Sequence, residues 1–157
     1  MADVSTAPRL GGYADRPEEF DPTVLQGLRA AAIVLLCSAA VEALQFLSGQ
    51  VFSLSFLIDI FLGVQLLRVR YTWKIWALAR AWGGVALVVL MARALPPAAL
   101  VAIVAWQAIY SASIILFLTG TPTRTRLVLG WVCFGITVVL FLLGAGLVVL
   151  ARIVRGR

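Results

Sequence analysis

The chain has 157 residues, of which 62% are hydrophobic and 13% are charged, and its formal net charge is +6. Soluble domains are only about half apolar, so this composition excludes a soluble globular protein and predicts an all-α integral membrane protein. Histidine is absent, and Cys37 and Cys133 stand alone in separate apolar segments. We therefore expect no haem, no metal and no other cofactor, two buried cysteines and a non-enzymatic protein.

The charge is unevenly distributed along the chain. Residues 1–22 carry two basic and five acidic side chains, whereas the remaining residues carry eleven basic and two acidic ones. Basic residues that flank apolar helices are typical of membrane topology. The positive charge therefore predicts contact with a lipid bilayer and gives no reason to expect a nucleic-acid partner.

The first 21 residues form an acidic polar tail, which we expect to be disordered or bound to a partner. The sequence FDPTVL then predicts the start of the first helix. Asp21 is suited to the N-cap and Pro22 to the first helical position, while Phe20 can pack against Leu25.

Residues 22–157 are predicted to form a single bundle of about five transmembrane helices, with four as an alternative. The apolar segments lie at about 24–48, 51–67, 73–95, 97–119 and 127–151. The second segment, with about 17 residues, only just spans an apolar core of roughly 30 Å, and Asp59 lies at its centre. If it did not cross, Arg68, Arg70 and Lys74 would lie on the opposite side from the tail, which favours five spans.

The distribution of basic residues also predicts the topology. With a cytoplasmic N-terminus, nine basic residues lie in the cytoplasm and four outside, as the positive-inside rule requires. We therefore expect a bacterial plasma (inner) membrane location. An odd number of spans places the Arg-rich C-terminus outside, so whether segments 51–67 and 127–151 cross fully stays open. Tyr71, Trp73, Trp76 and Trp131 are expected at the interfaces, and Trp82 and Trp106 in packed positions.

Three charged residues, Glu42, Asp59 and Arg80, lie inside apolar segments. An ionised group in the middle of a membrane costs at least about 2.5 kcal/mol, so it needs a partner or a function. Helical periodicity places each charge on a face with small or polar residues, which predicts that these faces form the packed interior. The companions are Ser38, Ala39, Gln45 and Gly49; Ser55 and Gly63; and Ala77, Gly83 and Gly84.

The turn between the second and third segments leaves Asp59 roughly 13 Å and Arg80 roughly 9 Å from its ends, an offset that a long arginine can bridge. The short turn near Ser48 brings Glu42 and Asp59 to comparable depths. The sequence therefore predicts an intramembrane cluster of these three charges. Its surplus negative charge can be met by a proton, by Arg93 or by a ligand cation. A structural ion pair, or side chains that extend to the membrane surface, and a transport or gating site are the alternatives.

The last two segments carry polar and small residues at helical spacing. In the fourth these are Gln107, Tyr110 and Ser111, which we interpret either as interhelical hydrogen-bonding groups or as the lining of a polar cavity. In the fifth, a stripe of Gly130, Cys133, Thr137 and Gly144 predicts close helix packing.

The run FLIDIFLGVQLLRVRYTWKIWALARAWGG, at residues 56–84, combines an acid in one helix, an Arg-rich turn and a buried arginine in the next helix. This pattern resembles small multi-span bacterial membrane proteins of uncharacterised families. The resemblance covers about a fifth of the chain, and it implies a membrane fold without implying an activity.

Two functions follow from these patterns. The first is an accessory or scaffolding subunit that associates with other membrane-protein subunits or with itself, which the small-residue faces and the acidic tail favour. The alternative is a small proton- or cation-coupled transporter or channel that uses Glu42, Asp59 and Arg80, since coupling ions bind near the midplane in transporters.

Overall fold

The computed structural model describes residues 21–47, 55–90, 97–120 and 123–155. These ranges contain five α-helices and no strand, so the predicted all-α class is confirmed. The helices are α1 (Pro22–Leu47), α2 (Ser55–Leu67), α3 (Lys74–Leu90), α4 (Pro97–Leu118) and α5 (Arg124–Arg155). A 3-10 turn, Tyr71–Trp73, leads into α3.

Four of the five helices are long and apolar enough to cross a membrane, at Pro22–Gln45, Tyr71–Leu90, Leu100–Leu118 and Arg124–Gly144. Helix α2 is the exception, because its 13 residues extend only about 20 Å at 1.5 Å per residue. The predicted start of that span, residues 51–54, lies outside the described residues. The bundle of five helices is therefore confirmed, while a fifth crossing and the orientation stay predictions.

The start of α1 is as predicted. Asp21 accepts hydrogen bonds from the backbone amide of Thr23, at 2.8 Å, and from its hydroxyl, at 2.7 Å. The first helical residue is Pro22, whose missing N–H is no loss at that position. Phe20, and with it the expected contact to Leu25, lies outside the described ranges.

Helices α1 and α4 form the centre of the bundle. Helix α2 packs along α1, and α3 and α5 pack against α4, whereas α2 and α3 scarcely touch along their backbones. The core is built from alanine and aliphatic side chains of α1 and from larger side chains of α4, and it includes Ala31, Val34, Leu35, Ile114 and Phe117. Small residues on α1 let neighbouring helices approach it closely.

Three glycines mark the closest helix contacts. A Cβ on Gly63 of α2 would lie 2.8 Å from Leu36 of α1, and one on Gly130 of α5 would lie 2.5 Å from the ring of Phe117. At Gly84 of α3 the neighbour is the amide of Gln107, 2.3 Å away. The prediction that small residues lie in the packed interior is thus confirmed at these three positions.

Other residues predicted to be packed are not. Nothing lies within 4 Å of a Cβ built on Gly83 or Gly144, and Trp82 is 63% exposed within the chain. Cys37 is exposed as well and Cys133 is only partly buried, so the predicted burial of Cys37 was wrong and that of Cys133 holds only in part. The reason is geometric, because a helix presents only one stripe to its neighbours and these residues lie off that stripe.

One end of the bundle is strongly basic. The start of α1, the 3-10 turn and the end of α4 meet there around a small space lined by Val24, Leu28, Tyr71, Lys74, Phe117, Leu118 and Gly120. Arg126 donates from Nη1 to the Thr119 carbonyl, at 2.7 Å, and from Nη2 to its hydroxyl, at 3.1 Å. The first of these bonds satisfies the Thr119 carbonyl at the end of α4, next to Gly120, which adopts φ +66°.

Candidate functional site

Asp59 lies in the middle of α2 and is completely buried. Arg80 of α3 binds it through two hydrogen bonds: Nε donates to Oδ1 at 2.8 Å, and Nη2 donates to Oδ2 at 3.1 Å. This paired geometry matches the planar guanidinium to the planar carboxylate, and it is among the strongest arrangements of opposite charges in proteins.

Glu42 of α1 completes the cluster. Its Oε1 lies 3.6 Å from Nη2 of Arg80, and its Oε2 accepts a hydrogen bond from the hydroxyl of Ser55. The Arg80 and Glu42 side chains are 22% and 28% exposed, so this side of the cluster lies nearer the bundle surface than Asp59 does. The structure thus brings together the three charges predicted from the sequence.

The local fold explains how the charges meet. Asp59 lies eight residues before the end of α2, and Arg80 lies six residues after the start of α3. At 1.5 Å per residue they lie about 12 Å and about 9 Å, respectively, from the turn that joins the helices. The long arginine side chain reaches from one helix to the other, although their backbones are apart.

Ser55 is the member of the cluster that sequence reasoning did not single out as a partner. It had been placed on the same face as Asp59, because it lies one helical turn earlier in α2. What the sequence did not reveal is that this face also turns towards Glu42 on α1. The one available signal was the hydroxyl one turn from the buried acid.

Tyr110 of α4 lies beside the charge cluster. It is 5% exposed, and its hydroxyl makes no hydrogen bond of good geometry within the described ranges. The hydroxyl is close to Ser38 and within electrostatic range of Asp59, Arg80 and Glu42. A buried polar group of this kind is costly unless a partner is available.

The other two polar residues of α4 connect it to α3. The hydroxyl of Ser111 donates to the Ala81 carbonyl at 2.8 Å, and the Gln107 amide donates to Ser111 at 3.4 Å. The Gln107 amide also covers Gly84, one turn from Arg80. The Ser111–Ala81 bond is interhelical, which fits the simpler of the two interpretations, whereas the Gln107–Ser111 bond lies within α4. A polar cavity at these residues stays a prediction.

The charge cluster carries two acids and one base, with Ser55 as an additional donor. Arg93, the other base considered for it, lies outside the described residues. Within the described ranges no three His, Cys, Asp or Glu side chains lie close enough together to hold a metal ion. Chemically, the arrangement can hold helices together, exchange a proton, or accept a cation at the side near Glu42.

Comparison with protein-family models, with curated proteins and with solved structures gives no match to this chain. The resemblance to small bacterial multi-span proteins therefore stays an expectation from the sequence, and the function is argued from the geometry of the charge cluster.

Proposed function

We propose that this chain is a non-enzymatic multi-pass protein of a bacterial plasma membrane, and that it serves as an accessory or scaffolding subunit of a membrane complex or of a homo-oligomer. One observation carries the proposal: Asp59 is completely buried and both its oxygens are bound by Arg80. A carboxylate held in this way fixes the position of two helices relative to each other.

The outer surface of α5 supports association with another helix. One stripe of this helix is formed by Val128, Val132, Gly135, Val139, Leu142 and Gly146, which repeat at intervals of three and four residues. The four larger residues are at least 50% exposed, and nothing lies within 4 Å of a Cβ built on either glycine. Glycines on an exposed apolar face allow a second transmembrane helix to approach closely.

Crosslinking in native membranes tests the association. We expect the wild-type protein, crosslinked before mild detergent extraction, to give an assembly of defined size. Gly135→Phe should abolish that assembly while the chain stays folded, because the bulky ring covers the α5 stripe. Gly83→Phe is the matched control, since Gly83 of α3 is equally open. A monomer that persists before and after crosslinking would contradict the proposal.

A double-mutant cycle tests the structural role of the ion pair. Arg80→Leu leaves Asp59 buried without its partner, and breaking a buried pair costs about 3–5 kcal/mol. Replacing both residues by leucine removes the charges together and leaves apolar surface. The double variant should therefore unfold at a higher temperature than Arg80→Leu, with a coupling of at least about 0.5 kcal/mol. Additive effects would mean that the pair contributes no structural coupling.

The second candidate, a proton- or cation-coupled transporter, is favoured by the surplus negative charge beside the buried Tyr110 hydroxyl. Asp59→Asn separates the two functions. In a transporter, proteoliposomes that contain this variant lose proton or cation flux although folded yield and assembly are unchanged. For a structural pair, the same substitution lowers the folded yield or the unfolding temperature, because the Asp59 charge no longer balances Arg80.

A further inference from the structure

An open groove of about 440 Å³ lies between α2 and α3, on the side where these helices separate. Its walls are Leu57, Ile58, Phe61 and Leu62 from α2, and Trp73, Trp76, Ala79 and Arg80 from α3 and the preceding turn. Apart from Arg80, whose charged end is held by Asp59, every wall residue is apolar. The groove therefore faces the acyl-chain region of the bilayer with apolar side chains.

The size of the groove limits what it accommodates. Its wall on α3 runs from Trp73 to Arg80, about two helical turns, which is short compared with the roughly 30 Å of a transmembrane helix. From Trp73 to Arg80 the groove extends about 10 Å along α3, and a slender acyl chain fits such a narrow and elongated space.

The end of the groove nearest the turn is both aromatic and basic. Phe61 and Trp73 meet edge to face, with ring centroids 5.0 Å apart, and close the groove at that end. Arg68 and Arg70, both exposed, precede Trp73 in the turn between the two helices. Positive side chains at the membrane surface attract anionic headgroups, and aromatic rings are typical of this depth.

We propose that the α2–α3 groove binds one anionic phospholipid. Its phosphate lies at Arg68 and Arg70, and the first part of one acyl chain lies between Phe61 and Ala79. The combination of an apolar groove with a basic rim at one end matches the two parts of this ligand. The lipid fills the space that the ion pair between α2 and α3 leaves open. This site is independent of the proposed accessory function, which depends on α5.

Native mass spectrometry of the delipidated full-length chain tests the proposal. The probes are dioleoylphosphatidylglycerol and dioleoylphosphatidylcholine, which share their acyl chains and differ in headgroup charge. We expect the first phosphatidylglycerol to bind at least about tenfold more tightly than phosphatidylcholine, because each basic side chain near the surface contributes roughly fivefold. Equal binding of the two lipids by the wild-type protein would overturn the proposal without any variant.

Two pairs of variants locate the site. Arg68→Gln with Arg70→Gln should remove the preference for phosphatidylglycerol. Arg29→Gln with Arg124→Gln should retain it, since those exposed residues lie in α1 and α5, outside the turn that borders the groove. Ala79→Phe should weaken binding of both lipids, and Ala105→Phe, at an exposed position of α4, should not. Equal losses in both arginine pairs would show diffuse attraction and overturn the proposal. An unchanged lipid affinity of Ala79→Phe would also overturn the proposal. So would a dimer of the wild-type protein that Ala79→Phe abolishes, because the groove would then bind a second copy of the chain and not a lipid.

Discussion

The contact between Gly130 of α5 and Phe117 of α4 permits a sharp test of the bundle. A Cβ at position 130 would lie 2.5, 2.7 and 2.9 Å from three carbons of the Phe117 ring, whereas carbon atoms normally approach to about 3.5–4.0 Å. The ring is only 2% exposed and also packs on Trp131, at a centroid distance of 5.4 Å. In Gly130→Ala, α4 and α5 must therefore separate by about 1 Å, or the ring must leave its rotamer.

The expected magnitude follows from two opposing effects. Overpacking of a buried contact costs about 1–3 kcal/mol, and replacing glycine by alanine inside a helix gains up to about 1 kcal/mol. Gly130→Ala should therefore be destabilised by about 1–2 kcal/mol. Gly144→Ala is the matched control in the same helix, because nothing lies within 4 Å of its Cβ. That variant should be as stable as wild type or slightly more stable.

Reversible unfolding in mixed micelles of a mild detergent and dodecyl sulfate, followed by far-ultraviolet circular dichroism, gives the comparison. The two variants should differ in unfolding free energy by about 1–3 kcal/mol. Phe117→Leu added to Gly130→Ala should recover part of the loss, because a smaller side chain leaves space for the new methyl group. If Gly130→Ala and Gly144→Ala were equally stable, the close approach of α4 and α5 at this position would be refuted.

Three further predictions concern the ends of helices. Val69 is buried and adopts φ +59°, a left-handed conformation that glycine adopts more easily than alanine. Val69→Gly should therefore be about 1 kcal/mol more stable than Val69→Ala in thermal unfolding. The opposite order would exclude backbone strain at this position. Hydrogen bonds from the Thr23 amide and hydroxyl lower the pKa of Asp21 below its ordinary 3.8. The contribution of Asp21 to stability is therefore complete above pH 3.8 and is lost as the pH falls through the lower value. The NMR titration of the Thr23 amide should have a midpoint below pH 3.8, and a higher midpoint would disprove the cap. Arg126→Ala should destabilise the protein by about 0.5–1.5 kcal/mol, because it loses two hydrogen bonds to Thr119 at the end of α4. Arg124 is exposed, so Arg124→Ala should have little effect on the unfolding free energy. Equal losses in the two variants would argue against a role of Arg126 in ending α4.

Much of the helical architecture could be predicted from the sequence, because long apolar stretches have only one common solution in a membrane. The start of α1 was predicted to the residue, since Asp21 and Pro22 have specific backbone requirements. The meeting of Asp59 with Arg80 was also predicted, because an acid and a long arginine lie within about two turns of the same short connection and few other charges are in reach. These inferences depend on local chemistry and on distances along a helix.

The neighbours of each helix could not be predicted in the same way. Gly83 and Gly84 are adjacent and chemically identical, yet only Gly84 lies against Gln107. They point about 100° apart on α3, so the position of α4 decides which of the two glycines is packed. The sequence of α3 contains no pattern that predicts where α4 lies. The same limitation hid the bond between Ser55 and Glu42 and the groove between α2 and α3, which exist because of how the helices cross.

The position of the ion pair has a physical reason in this packing. Helix α2 turns its small residue Gly63 towards Leu36 of α1, so its close packing is directed away from α3. In lipid, helices associate through close contacts and polar bonds, because no hydrophobic effect drives apolar helices together. Where contacts are missing, a long arginine bound to a buried carboxylate holds the helices across the gap.

Two leucines at positions 59 and 80 remove the need for charge compensation without restoring that link. Structurally, the double variant should therefore differ from wild type by a wider α2–α3 groove, measurable as a longer spin-label distance between the helices. An unchanged distance would mean that the turn Tyr71–Trp73 alone sets their separation.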